Sequence, residues 1–248
     1  MNALSVQDVA ISFGGVNALK NVTLEVAVGE RRVLMGPNGA GKTTLFNVIA
    51  GQLRPNRGRM IFFGRDIAPL RPFQRAHLGL VRTFQITTLF ANLTVEDNIY
   101  LAVQAVDPLR YAMLRSAESV HHTISRVESL LDQWRFGAVR SSTVRDLSYG
   151  EQRKLELTMA LAQRPRLLLL DEPTAGLSRS ETEHVVELVQ GLSRDVTVIV
   201  VEHDMDVAFR IGESFTIMNE GAIVTEGAAD AIRTNPEIQS IYFGDAAR

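Results

Sequence analysis

Runs of apolar residues divide the chain into three parts with different periodicities. In the first part, residues 4–13 and 22–28 alternate apolar and polar positions, are rich in β-branched residues and are separated by glycine breakers. This pattern predicts two strands with one buried face. Shorter apolar runs at 31–35 and 60–63 predict two further strands. Between these two, residues 45–50 begin an apolar helix that Gly51 closes.

The middle of the chain has helical spacing instead. From about Thr94 to Gly137 the apolar residues recur at helical intervals, and Thr94-Val-Glu-Asp97 is typical of a capped helix start. Another helix is predicted over 155–162, ended by Arg164-Pro165. Four apolar residues are expected to face the core of this helical part: Leu130, Leu131, Trp134 and Phe136.

The last third alternates between strands and helices. Residues 167–170 and 196–201 are continuous apolar runs, which are typical of strands buried on both faces of a parallel sheet. A helix is predicted between them, over 178–192. A hairpin-like strand pair is then predicted at 215–218 and 222–225, followed by short helices at 228–233 and 236–243. The chain is therefore predicted to be an α/β protein with a parallel core, an N-terminal antiparallel β part and a helical insertion.

Composition narrows the function classes. The 248 residues are 46% apolar and 22% charged with a net charge of −2, so nothing favours binding to nucleic acid. The absence of cysteine excludes disulfides and thiolate metal sites. No run approaches the roughly 20 apolar residues of a membrane span, and the N-terminus lacks the pattern of a signal peptide. We expect a cytoplasmic protein whose membrane role, if any, comes through a partner.

The most specific motif is the stretch Gly36-Pro-Asn-Gly-Ala-Gly-Lys-Thr-Thr44, which fits the pattern G-x-x-x-x-G-K-[ST]. A predicted strand precedes it and a predicted helix follows, whereas a chance glycine turn before a lysine requires neither. Glycines let backbone N–H groups turn toward phosphates, Lys42 would reach the β- and γ-phosphates, and the Thr43 hydroxyl would hold Mg²⁺. The sequence thus predicts a nucleoside triphosphate site. Its predicted binding residues are Gly36, Asn38, Gly39, Gly41, Lys42, Thr43 and Thr44.

Two acids follow the apolar run 167–170, at the strand end where α/β sheets place ligands. Asp171 is positioned to hold the hydration shell of Mg²⁺, and Glu172 to polarise an attacking water. A helix-capping acid before Pro173 is the alternative interpretation, which the glycine loop disfavours.

The hexapeptide Leu147-Ser-Tyr-Gly-Glu-Gln152 precedes a predicted helix. Ser148 and Gly150 would form a second anion-binding helix start, although Ser148 as a simple helix cap is the alternative. This hexapeptide resembles the L-S-G-G-Q signature of the ABC (ATP-binding cassette) ATPases, with Tyr149 in place of a glycine.

The resemblance extends over essentially the whole chain, because further motifs occur in the family's order. It implies that Phe13 stacks on adenine, although a core aromatic is the alternative for this residue. It also implies that Gln85 contacts Mg²⁺ and the lytic water, and that His203 contacts the γ-phosphate. The family's fold implies one nucleotide-binding domain over 1–248. Its RecA-like core would span about 1–90 and 151–248, and its helical subdomain about 91–150.

The chain holds one glycine loop and one signature, which belong to different composite sites in this family. The resemblance therefore implies that two ATP molecules are sandwiched between this chain and a second copy or a paralogue. Ser178 is a departure, because it ends a dimer-contact loop that usually carries Asp or Asn there. A surface after Gln85, with Leu89, Phe90 and Val95, is the expected docking groove for a membrane partner.

Several short sequence segments resemble those of one subgroup, the ATP-binding subunits of branched-chain (hydrophobic) amino-acid importers. Among them are Val81-Arg-Thr-Phe-Gln85 and Ile241-Tyr-Phe-Gly244. Transmembrane permease subunits and, indirectly, a solute-binding protein are the implied partners, with the chain peripheral on the inner face of the membrane. Urea or short-amide importers and lipopolysaccharide exporters share part of this pattern. Soluble ABC ATPases and purely regulatory nucleotide-binding modules are the remaining alternatives.

Overall fold

A computed structural model describes residues 1–83, 89–107 and 117–235. Gln85 and the predicted helix 236–243 therefore lie outside the described residues. Within them, no helix is both long enough and apolar enough to span a bilayer.

The N-terminal part is an antiparallel sheet, as predicted, but it has a fourth, unpredicted strand at Arg65–Asp66. Its strand order is β2-β1-β4-β5, with β1 paired to both β2 and β4. The predicted strand 22–28 is only the second half of a longer strand that begins at Val16. The elements up to this point are β1 (Asn2–Phe13), β2 (Val16–Ala27), β3 (Arg31–Met35), α1 (Lys42–Ala50), β4 (Arg57–Phe62) and β5 (Arg65–Asp66).

The second sheet is the parallel core, which has the order β10-β9-β3-β8-β7-β6. Strands β6, β7, β8, β3 and β9 run parallel, and β10 returns antiparallel beside β9, as predicted for the hairpin. The elements that complete the chain are α2 (Pro72–His77), β6 (Leu80–Arg82), α3 (Val95–Ala105), α4 (Ala117–Gln133), α5 (Tyr149–Ala162), β7 (Leu167–Asp171), α6 (Arg179–Gln190), β8 (Thr197–Val201), α7 (Met205–Ile211), β9 (Ser214–Asn219), β10 (Ala222–Ala228) and α8 (Ala229–Arg233).

All five residues of β7 and of β8 are buried. Their side chains enter two different buried apolar clusters alternately, so neither strand has a solvent face, and this explains their continuous apolar sequences. Their carboxyl ends lie at the same edge of the sheet as the end of β3. Residues that follow these strands are therefore brought together.

The helical part consists of α3 and α4, which pack on each other, and α3 also packs on α5. Thr94 caps α3 by accepting a hydrogen bond from the backbone N–H of Asp97, as the capping pattern predicted. The four residues predicted for the core of this part are buried. Val95 is also fully buried in this core, so its assignment to a docking surface was wrong, whereas Phe90 is 52% exposed.

Candidate nucleotide site

The glycine loop connects β3 to α1, and two of its glycines leave no room for a side chain. A Cβ on Gly36 would lie 2.1 Å from the carbonyl oxygen of Met218, and one on Gly41 would lie 2.7 Å from that of Ala18. Gly39 has a φ of +82° and open space around its Cα. The loop is thus pressed against the fold on one side and open on the side that a phosphate would approach.

Lys42 begins α1 and is buried. Its Nζ donates hydrogen bonds to the carbonyl oxygens of Gly36, at 2.6 Å, and Pro37, at 2.9 Å. Burial lowers the pKa of this amine, while the charges of Glu172 and Asp171 oppose that shift. The ammonium group therefore stays within the loop, next to the acids that follow β7.

A cleft of about 470 Å³ lies over the loop. Among the residues that line it are Asn38, Gly39, Lys42, Thr43, Thr44 and Glu172. Its volume and donor set fit a nucleotide phosphate chain, and the Thr43 hydroxyl is the type of oxygen ligand that Mg²⁺ accepts. The predicted loop residues are thus assembled around one cavity.

Phe13 ends β1 and is 49% exposed, so it is not a core aromatic. It pairs across the hairpin with Val16, which lines the same cleft. Phe13 is therefore an exposed aromatic residue whose hairpin neighbour lines the cleft. Lys20 and Glu220 also line the rim, where they form an exposed ion pair at 3.7 Å.

The acid pair occupies the end of β7. Asp171 is buried and its Oδ2 accepts a hydrogen bond from Arg82 at 2.7 Å. Glu172 adopts a φ of +47°, a left-handed conformation that is uncommon for residues with side chains, and its N–H donates to the carbonyl of Val201. Such conformations concentrate at functional sites, because the surrounding structure must hold them in place.

His203 follows β8, and its Nδ1 lies 3.6 Å from Oε1 of Glu172. The residue before it, Glu202, is buried and was missed by the motif analysis. Glu202 accepts hydrogen bonds from Thr174 Oγ1, at 2.7 Å, and from the backbone N–H of His203, at 3.3 Å. Burial raises the pKa of this carboxyl group. Its position immediately before the histidine was the available signal.

Ser148 and Gly150 lie apart from the glycine loop, in a second cleft of about 450 Å³. Ser148 caps α5 through a reciprocal pair of bonds with Glu151, so its capping role is present. A Cβ on Gly150 would lie 2.0 Å from Oε1 of Glu181. The signature is thus in contact with the start of α6.

Ser178 has a defined role in this structure, because it caps α6. Its Oγ accepts from the backbone N–H of Glu181 and donates to the carboxylate of the same residue at 2.6 Å. Bonds from the Oγ and backbone N–H of Ser178, and from the backbone N–H of Gly150, lower the pKa of Glu181. Serine caps helices about as well as Asp or Asn. Ser178 in place of these residues therefore preserves the N-cap of α6.

A glycine loop between β3 and α1, two acids at the end of β7 and a histidine after β8 define a P-loop ATPase. The sequence model described as ABC transporter matches residues 19–175. LivG of Escherichia coli K12, a "high-affinity branched-chain amino acid transport ATP-binding protein", is 34% identical over 250 residues, covering 98% of both chains. BraF of Pseudomonas aeruginosa, with the same description, is 32% identical over 252 residues, again covering 98% of both.

Solved structures agree with this assignment. The ADP conformation of MJ1267, an ATP-binding cassette of an ABC transporter, matches with a TM-score of 0.83 at 27% identity, covering 98% of this chain and 99% of that one. A post-hydrolysis dimer of the cassette MJ0796 with ADP and Pi matches with a TM-score of 0.76 at 26% identity, covering 91% and 98%. The chain belongs to the ABC transporter family and is an ATPase of that family.

Proposed function

We propose that this chain hydrolyses ATP to drive import of branched-chain or other hydrophobic amino acids. The observation that carries the reaction is the single cleft shared by Lys42, Thr43 and Glu172, with Asp171 and His203 at the adjoining strand ends. The solute class is supported by relatives of that description at 30–34% identity over nearly their full length.

Each residue has a role that its position supports. Lys42 and the N–H groups of the glycine loop hold the β- and γ-phosphates, while Phe13 stacks on adenine. Glu172 orients the attacking water and accepts its proton, and His203 contacts the γ-phosphate.

Thr43 and Asp171 would hold Mg²⁺ together with Gln85, which lies outside the described residues. Bound Mg²⁺ would supply neutralisation of the charge that develops on the phosphate oxygens.

Two separate clefts on one chain favour a composite site. Ser148 and Gly150 line a different cavity from the glycine loop, so they are free to contact nucleotide bound by another subunit. We infer a sandwich dimer with a second copy or a paralogue. In it, each chain forms one nucleotide-binding domain, with a core of about 1–90 and 151–248 and a helical subdomain of about 91–150.

The membrane partners are proposed to be transmembrane permease subunits, with a solute-binding protein acting through them. The chain would then be cytoplasmic and peripheral on the inner face of the membrane. Phe90 and Leu93 are 52% and 37% exposed beside the start of α3, which supports a docking surface there. Exposed large apolar side chains grouped in one place are typical of partner contacts.

The variant Glu172→Gln tests the reaction. We expect it to bind ATP normally, to lose hydrolysis at least about a hundredfold because the water loses its base, and to accumulate as an ATP-bound dimer in light scattering. Glu220→Gln is the matched control, since it also lines the cleft but lies in an exposed ion pair. Normal turnover in Glu172→Gln would contradict the assignment.

Uptake of labelled leucine in a strain that lacks this gene tests the solute. Wild-type protein should restore uptake and Glu172→Gln should not. Leucine uptake that persists without the gene, combined with loss of urea or short-amide uptake, would favour the related importers instead.

A further inference from the structure

Arg82, at the end of β6, connects three parts of the core. Its NH2 group donates to Oδ2 of Asp171 at 2.7 Å, and its NH1 group donates to Oε1 of Gln52 at 2.8 Å. NH1 also donates to the side-chain oxygen of Asn47, in α1. The guanidinium carbon lies 5.6 Å from the ring centre of Phe46, in the same helix. One side chain therefore joins the strand before Gln85, the helix after the glycine loop and the acid at the end of β7.

The ion pair is buried, because the side chains of Arg82 and Asp171 are 7% and 3% exposed. Removing two charges from water is unfavourable unless the hydrogen-bonding geometry compensates for it. The planar guanidinium of arginine achieves this by donating in several fixed directions, which the single ammonium of lysine does not reproduce. The direction of the Asp171 carboxylate is thus set by Arg82.

The other side of Arg82 faces a surface cleft of about 240 Å³. Arg82 and Gln52 line this cleft together with Ala50, Phe73 and Ala76. The bond to Gln52 is therefore the contact that Arg82 makes on its cleft side, away from Asp171.

We propose that Arg82 is a positioning residue that orients Asp171 for Mg²⁺, and that its bond to Gln52 helps to hold the guanidinium group in place. The proposal rests on the proposed function, in which Asp171 serves the Mg²⁺ of bound ATP. Groups that orient a metal-binding residue typically change metal affinity about 10- to 100-fold when removed.

The test is the affinity of the purified chain for a fluorescent ATP analogue, measured with EDTA and with saturating Mg²⁺. For Arg82→Gln we expect the affinity in EDTA to stay within about twofold of the wild-type value. The increase in affinity that Mg²⁺ produces should be about tenfold smaller than in the wild type. Arg82→Lys keeps the positive charge but loses the planar fork of donors. Its gain in affinity from Mg²⁺ should lie between those of the wild type and Arg82→Gln. Gln52→Ala loses only the bond on the cleft side, and should reduce the gain about two- to threefold.

Arg75→Gln is the matched control. Arg75 is also buried and anchors the same helix, because its NH1 donates to the carbonyls of Val48 and Ile49. Arg75→Gln should lower the midpoint of thermal unfolding without changing the increase in affinity that Mg²⁺ produces. If Arg82→Gln does not fold, as judged by circular dichroism, Arg82→Lys and Gln52→Ala decide the question.

The proposal would be overturned if Mg²⁺ increased the affinity of the Arg82 variants for the analogue as much as that of the wild type. The same holds if the variants lost equal affinity in EDTA and in Mg²⁺. If the wild-type chain itself bound the analogue no better with Mg²⁺, the proposed function would fail instead.

Discussion

The Nδ1 atom of His203 lies 3.6 Å from Oε1 of Glu172, although the two residues follow different strands. They meet because β7 and β8 are adjacent and parallel, with Asp171 in register with Val201. The N–H of Glu172 also donates to the carbonyl of Val201 at 3.0 Å, which ties the acid to the strand that carries the histidine. Glu172 and His203 are thus positioned by one pair of strands.

From this relationship we expect His203→Ala to lower kcat for ATP about 100- to 1000-fold, since one polar group that faces developing charge is lost. KM should change less than about threefold, because the glycine loop retains the phosphates. Steady-state phosphate release measures both constants. His77→Ala is the control, as His77 lies on α2 and bonds to the carbonyl of Phe73. Parallel changes in kcat for the two variants would contradict a specific role of His203.

Gly150→Ala should weaken ATP-dependent dimerisation while leaving ATP binding by the monomer intact. The added methyl group would lie 2.0 Å from Oε1 of Glu181, so either the Glu181 side chain shifts or the signature moves away from the start of α6. We expect dimer affinity to fall at least about tenfold, or ~1.4 kcal/mol. Sedimentation in the Glu172→Gln background measures it.

Gly137→Ala provides the control for this substitution. Gly137 also belongs to the helical part, but a Cβ there has nothing within 4 Å. It should dimerise like the parent, and a parent-like dimer in Gly150→Ala would show that the contact with Glu181 is easily displaced.

Ser178→Ala should destabilise the fold by about 1 kcal/mol, because α6 loses its N-cap. Ser178→Asn and Ser178→Asp should stay within about 0.5 kcal/mol of the wild type, since both side chains cap helices. Urea unfolding followed by circular dichroism compares the free energies of unfolding. If the aspartate variant were as unstable as the alanine variant, the hydroxyl would have another role.

Glu202→Gln should change how stability depends on pH. Burial raises the pKa of Glu202 in the folded protein above its ordinary value, so its stabilising contribution is complete below that ordinary value and is lost as pH rises through the folded pKa. The glutamine variant cannot titrate at this position, so its stability lacks this dependence on pH. It also loses about 1 kcal/mol at every pH, because its amide cannot accept from both Thr174 and the N–H of His203.

Urea unfolding between about pH 4.5 and about pH 8 tests this prediction. As pH rises, the free energy of unfolding of Glu202→Gln should increase relative to that of the wild type. Glu220→Gln, with a side chain that is 80% exposed, should run parallel to the wild type. A constant difference between Glu202→Gln and wild type across the range would count against a raised pKa.

Local sequence patterns predicted the features that depend on local chemistry. The glycine loop was predictable because a buried strand, glycines and an apolar helix follow each other directly in the sequence. Asp171 and Glu172 were predictable because a continuous apolar run ends at them. The same holds for the cap at Thr94, which depends on residues three positions apart.

Features that depend on distant partners were missed. Strand β6 has only three residues and is defined by its pairing with β7, so it lacks a periodicity of its own. Arg82 was quoted only as part of the string that ends at Gln85 and received no role of its own, because its partner Asp171 lies 89 positions away. The first half of β2 was missed for a similar reason, since pairing with β1 holds polar residues in an extended conformation there.

The full burial of β7 has a consequence for the kinds of change this protein can tolerate. Each of its residues contacts protein on both faces, so Leu168→Ile and similar exchanges of equal volume would leave the end of the strand where it is. Deletion of a single leucine would turn every following side chain to the opposite face of the sheet. Glu172 would then point away from His203. The site therefore depends more strictly on the number of residues in this strand than on which apolar residues they are.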